Sequence, residues 1–128
     1  MKTPQLILLA ATLTLSACAS LHSEPKAAAT SQYTPYVGEP VREIDYTRFH
    51  NWDKVDDRTV VVWTKPSQAY LLTLQSACWD LSGREMVAVD GFGGRLRAGT
   101  DSIIAGRMRC RIKTIQPIDL ARMKAARG

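Results

Sequence analysis

From Arg58 the period of the chain changes to one of short β-branched, aromatic and alternating runs, and that pattern points to a fold built on β-strands. Thr59-Val60-Val61-Val62-Trp63-Thr64 is a β-branched and aromatic run, the composition that fits a pleated, half-buried surface. Lys65-Pro66-Ser67-Gln68 punctuates it as a turn, with Pro66 suited to the second position. Ala69 to Gln75 returns as a strand with Tyr70, Leu72 and Leu74 on one face, so the pair reads as a hairpin. Ser76 to Gly83 is a connection. Arg84 to Asp90 reads as a third strand, with Met86 and Ala88 opposite Val87 and Val89. After the glycine-dense turn at Gly91-Phe92-Gly93-Gly94, Arg95 to Thr100 offers a short strand. Asp101 to Ala105 and Met108 to Ile115 offer two more, broken at Gly106, and Pro117 is expected to end the last.

The flanks read differently. In Val41 to Asp57, Phe49, Trp52 and Val55 recur at intervals of three and point to a short helix, capped by Asp45 or Thr47. Ile118 to Arg127 reads as a terminal helix with basic residues in its last turns, favourable to the helix dipole. The expected fold is mainly β, with α+β as the variant. It is a single small antiparallel sheet, a meander or a partly closed barrel, with a short helix near each end.

Ahead of this lies a leader. Lys2 supplies a positive start, and Leu6 to Leu15 form an apolar run of ten residues. Ten residues rise only about 15 Å as a helix, half of a hydrocarbon core, so this is a signal segment rather than a spanning helix. It ends in Leu15-Ser16-Ala17-Cys18, which resembles the lipobox of bacterial lipoproteins. The alternative is an ordinary secretory signal with Cys18 incidental, but small residues directly before a cysteine favour the lipobox. The resemblance implies that residues 1–17 are removed and that Cys18 carries a thioether-linked diacylglyceryl group, usually with a third chain on its amine. Two or more acyl chains anchor a protein stably. In Gram-negative lipoproteins an Asp after the modified cysteine marks retention at the inner membrane. Ala19 stands there, which points to the outer membrane, facing the periplasm.

Residues 18–40 then read as the lipidated cysteine and a flexible tether rich in Ala, Ser, Thr and Pro, spanning roughly 26 Å as a coil. The folding unit left is 41–128, about 88 residues. A unit that small holds a modest core and often leans on a staple. With Cys18 given to the lipid, Cys78 and Cys110 remain as an even pair in an exported chain. A disulfide between them closes a loop of about 33 residues, valued at about 3–4 kcal/mol by the chain-entropy model. Cys110 falls in phase with Met108 and Ile112, so it is expected to point inward. A redox role would prefer a CxxC pair, which the sequence lacks.

Charge offers one pattern. The formal net charge is +5, and removing the leader takes away only Lys2. That is too mild to imply nucleic acid without a concentrated patch. Arg107, Arg109, Arg111 and Lys113 alternate with Met108, Cys110, Ile112 and Thr114, which sets four cations on one face of the last strand. Such a face suits an acidic protein or an anionic envelope polymer, and Arg95 and Arg97 would extend it from a neighbouring strand. It equally suits a solvated face guarding an edge against pairing. Asp53, Asp56 and Asp57 form the one acidic cluster, expected to pair with Lys54 or Arg58; a calcium loop needs more oxygens and a turn glycine. His50 stands without a nucleophile elbow or a carboxylate pair, and zinc would need more ligands. The glycine turn lacks the Lys-Ser/Thr of a phosphate loop. No metal and no cofactor are expected.

The lipobox, the hairpin VVVWTKPSQAYLLTLQSAC and the later DSII and CRIKTI segments together resemble a family of small proteobacterial lipoproteins of unknown function. The resemblance covers residues 45 to 118 and implies a β-rich domain with two cysteines; it carries over no catalytic residue and no ligand. The expected function is a lipid-anchored, non-catalytic binding or accessory module of the envelope, monomeric and without nucleic acid as partner. The alternative is an inhibitor of a wall-degrading enzyme. The positive charge argues against it, since lysozymes are usually basic. A small periplasmic hydrolase using His50 is the third reading.

Overall fold

In the computed structural model, which describes residues 31–83 and 86–128, the Val60-rich run is the start of a sheet that curls around its own core. Strand β1 is Glu43–Asp45, β2 Asn51–Asp56, β3 Thr59–Lys65 and β4 Gln68–Leu74. Strand β5 is Ala88–Val89, β6 Arg95–Arg97, β7 Ser102–Ala105 and β8 Met108–Ile118, followed by helix α1 at Leu120–Arg127. Six strands form an antiparallel half-barrel in the order β2-β3-β4-β8-β7-β5, and β1 pairs with β6 as a separate ribbon. The β3–β4 hairpin turns at Pro66-Ser67, with Val61 opposite Leu71.

Each face of the sheet carries its own apolar cluster. On the inner face Val60, Val62, Leu72, Leu74, Ile103, Ile112 and Ile115 are fully buried. The β1–β6 ribbon closes this side by turning the paired residues Ile44 and Leu96 into the same cluster. On the outer face Val61, Ala69, Leu71 and Ile118 are covered by Tyr33 and by Met123 of α1. Two covered faces explain why Val60, Val61 and Val62 are all buried instead of alternating with polar residues. Burying a side chain such as Leu72 stabilises by about 1.5–3 kcal/mol.

The curl comes with a register shift between β4 and β8. Thr73 faces Thr114 and Leu74 faces Ile112, so Lys113 is the extra residue of a bulge. A bulge bends its strand and shifts the side-chain phase by one. Ile112 and Ile115, three residues apart, therefore both point inward. The disulfide between Cys78 and Cys110 lies in this inner cluster, with Cα atoms 5.9 Å apart and both residues buried. It ties the connection after β4 to the first half of β8.

Three expectations change. The stretch expected to form a helix in Val41 to Asp57 is β1 and β2. Trp52 packs against the inner cluster and Val55 against the outer one, so their spacing of three spans two faces of a strand. Of the two expected terminal helices, only α1 is present among the described residues; its side-chain cap is Asp119, which accepts from the Arg122 N–H. The third expected strand shortens to Ala88–Val89, with Val87 buried and Met86 exposed as the alternation requires. Pro117 does not end β8. Its carbonyl accepts from the Gly38 N–H at 2.8 Å, so the ring nitrogen, on the same edge of the strand, faces away from β4 and interrupts no bond to it.

The body also takes in the second part of the expected tether. Residues 31–40 lie along the half-barrel, with Val37 bridging Ile118 and Val41 bridging Ile115. Tyr33 is buried in the outer cluster and followed by a 3-10 turn at Thr34–Tyr36. These apolar side chains cover the outer face that Ala69, Leu71 and Ile118 would otherwise expose to water. The leader, Cys18 and the tether up to residue 30 lie outside the described residues.

Replacing both Cys78 and Cys110 by Ala is expected to lower unfolding stability by about 3–4 kcal/mol in denaturant titration. Thiol titration of oxidised protein carrying Cys18→Ala should find no free thiol before reduction; two would overturn the bond.

Candidate functional site

The residues singled out for chemistry are largely engaged in holding the fold. Asp53 accepts a hydrogen bond from the Tyr33 hydroxyl at 2.8 Å, across the outer face. Asp56 accepts from the Arg58 N–H at 2.7 Å and so shapes the turn between β2 and β3. Asp57 pairs with Lys54 at 2.8 Å, and the same ammonium donates to Ser82 at 2.8 Å. The three carboxylates thus go to three separate structural contacts. No group of three or more His, Cys, Asp or Glu among the described residues could hold a metal. His50 is exposed, and its backbone N–H donates to the Trp63 carbonyl at the edge of β3.

The basic strand keeps its alternation only in part. Arg109 and Arg111 are exposed while Cys110 and Ile112 are buried beneath them. Lys113 is exposed at the bulge, and Arg107 sits in the turn that precedes β8. Arg109 is paired with Asp90, whose other carboxylate oxygen accepts from the Ser102 N–H. Among the described residues Arg107, Arg111 and Lys113 have no ion pair. Arg95 and Arg97 do not extend the face. They lie on the β1–β6 ribbon and meet Glu43 at 3.3 and 3.4 Å, and Arg95 also meets Asp45 at 3.6 Å. Exposed pairs of this kind are each worth at most about 1 kcal/mol. They matter here because they cancel the charge that would have enlarged the patch.

A second charged region was not legible as one in the sequence. Tyr33 and Tyr36 fall in the expected tether and α1 at the other end, yet the fold joins them. Tyr33 meets the edge of Trp63 with ring centroids 6.1 Å apart. The Arg122 guanidinium lies 5.8 Å from the centre of the Tyr36 ring, and Arg127 donates to the Gln32 side chain. The only early signal was two aromatic residues in a stretch rich in Ala, Ser, Thr and Pro. Open grooves flank the helix. One of about 340 Å³ runs past Tyr33, Trp63, Pro66, Lys124 and Arg127, and one of about 240 Å³ past Tyr36, Gly38, Pro117 and Arg122. A third groove, of about 390 Å³, lies where the ribbon meets the half-barrel, lined by Asp45, Tyr46, Thr47, Thr64, Lys65 and Gly94.

Three tyrosines carry the electrostatic signature of burial. The Tyr33 hydroxyl is pushed up to about 12 by burial first, then by its hydrogen bond to Asp53 and that residue's charge. Tyr46 is raised by burial, then by Asp101 and Asp90, and Tyr70 by burial, then by Asp45. In each case the fold favours the neutral phenol, the form a buried hydroxyl needs.

A model of a family of unknown function, DUF6491, matches residues 1–128. No curated protein and no solved structure matches the chain.

Because the folded state holds the Tyr33 proton more tightly than the unfolded chain, its contribution is fully present below pH 10. It is lost as pH rises from about 10 towards about 12. Subtracting the phenolate absorbance titration of Tyr33→Phe from that of the unsubstituted chain should leave a transition near 12. A difference transition near 10 would put the ring in solvent.

Proposed function

The chain belongs to DUF6491, a family of unknown function, and we propose that it is an envelope lipoprotein whose domain is a non-catalytic binding or accessory module. The observation that carries this reading is Cys18, set directly after Leu15-Ser16-Ala17 behind an apolar run too short to span a bilayer. Two further facts support it. The other two cysteines form a buried disulfide, a bond that persists in oxidising compartments and is rare in the cytosol. The family match also spans residues 1–128, which fits a leader and domain inherited together.

Ala19 after the cysteine favours the outer membrane, with the domain facing the periplasm. The partner that best suits the exposed cations Arg107, Arg111 and Lys113 is an acidic protein or an anionic polymer of the envelope. The non-catalytic reading draws on where the titratable groups go: Asp53, Asp56, Asp57 and Asp90 are each held in contacts that shape turns, strands or cover.

Membrane fractionation with mass spectrometry of the N-terminal peptide tests the anchor. The expected result is an acylated Cys18 and a membrane-bound protein, with Cys18→Ala losing the acyl mass and leaving the membrane fraction. An unmodified Cys18 in the native protein would sink the lipoprotein reading.

A further inference from the structure

The fold gathers the start of the described body and its last helix into one basic pole. Helix α1 carries Arg122, Lys124 and Arg127, all exposed. Its buried residue, Met123, is inserted into the outer cluster, so the helix lies flat on the sheet. Arg122 is set on one flank over Tyr36, while Lys124 and Arg127 line the groove on the other. Besides these cations the helix exposes only the alanines Ala121, Ala125 and Ala126. The carboxylates of these two segments are few. Asp119 is used as the cap of α1 and Glu39 stands at the far end of residues 31–40, while Asp53 on β2 accepts from Tyr33. The result is a small-residue surface flanked by cations, at the place where Arg127 holds Gln32.

That place is also where the chain arrives from Cys18. Because the body already includes Ser31, thirteen residue steps separate it from the cysteine instead of the twenty-three implied by a boundary after Pro40. Thirteen steps reach at most about 45 Å in any conformation, comparable to the breadth of a domain this size, whose radius of gyration is about 13 Å. The pole beside Ser31 is thus the part of the domain that an anchor on Cys18 holds nearest to the bilayer. Basic side chains within a Debye length of an anionic leaflet are attracted to it, each strengthening the association severalfold.

We infer that the pole formed by α1 and residues 31–36 is a membrane-facing surface, on which Arg122, Lys124 and Arg127 contact anionic phospholipid headgroups. The inference rests on the lipoprotein reading for its orientation. Docking in this way uses none of the cations Arg107, Arg111 and Lys113. The basic strand residues then remain available to another partner.

The test uses the chain from residue 18 onward with Cys18→Ser, so that no acyl chain contributes, and reads co-sedimentation with vesicles of phosphatidylcholine with and without phosphatidylglycerol. Binding is expected only to the phosphatidylglycerol vesicles and is expected to weaken at high salt. The triple substitution Arg122→Gln, Lys124→Gln, Arg127→Gln should weaken it by about 100-fold, while Arg107→Gln, Arg111→Gln, Lys113→Gln leaves it unchanged. Circular dichroism and an intact disulfide check that both variants fold. Absence of binding to anionic vesicles, indifference to the α1 substitutions, or loss caused by the strand substitutions instead would each overturn the inference. Capture on isolated wall polymer in place of vesicles, with the same dependence on α1, would also overturn it and assign the pole to that polymer. Acylation of Cys18 in the native protein is read separately by mass, so failure of the anchor and failure of the docking surface are told apart.

Discussion

Strand β8 is the element on which the rest of the structure depends, because its backbone joins the β2-β3-β4 half of the sheet to the β7-β5 half. Residues 108–111 pair with β7, and residues from Ile112 to Ile118 pair with β4. Where β7 stops, the same edge of β8 is taken over by Val37 and Val41. The bulge at Lys113 marks the change of partner and bends the strand. Without that bend, Ile112 and Ile115 would fall on opposite faces and the inner cluster would lose one of them.

This arrangement answers the problem of a small domain with little material for a core. One sheet serves two clusters, the inner one closed by the β1–β6 ribbon and the outer one by Tyr33, Val37 and Met123. Neither cover is a full second sheet or a helix bundle. Both are short segments placed where apolar strand residues would otherwise meet water. The disulfide adds a restraint between the connection after β4 and the first half of β8.

Charge follows the same economy. Arg95 and Arg97 are neutralised by Glu43 and Asp45 across the ribbon, and Arg109 by Asp90. What remains is two separate basic regions, one on the front half of β8 and one along α1. Separation matters for function, because a lipid-anchored domain with a single basic face would have to choose between the membrane and a soluble partner. With two, the proposed anchor would let the pole beside Ser31 take the headgroups while the strand face stays available to another partner.

The β3–β4 hairpin, the inward Cys110, the bonded cysteine pair and α1 were all legible in the sequence. Each depends on local chemistry: a turn proline between β-branched runs, alternation over a few residues, cysteine parity, and a basic helix end. The β2 region was misread because Phe49, Trp52 and Val55 repeat every three residues by coincidence, and one-dimensional spacing carries no record of which face a neighbour covers. The fate of Pro117 depended on which edge of β8 its nitrogen occupies, and the fate of Tyr33 and Val37 on an outer face left bare by distant residues such as Leu71 and Ile118. Only the tertiary structure decides such matters, since burial on both sides of a strand is a property of what packs against it. The basic pole belongs to the same class: its two halves lie at opposite ends of the described chain, and the fold alone brings them together.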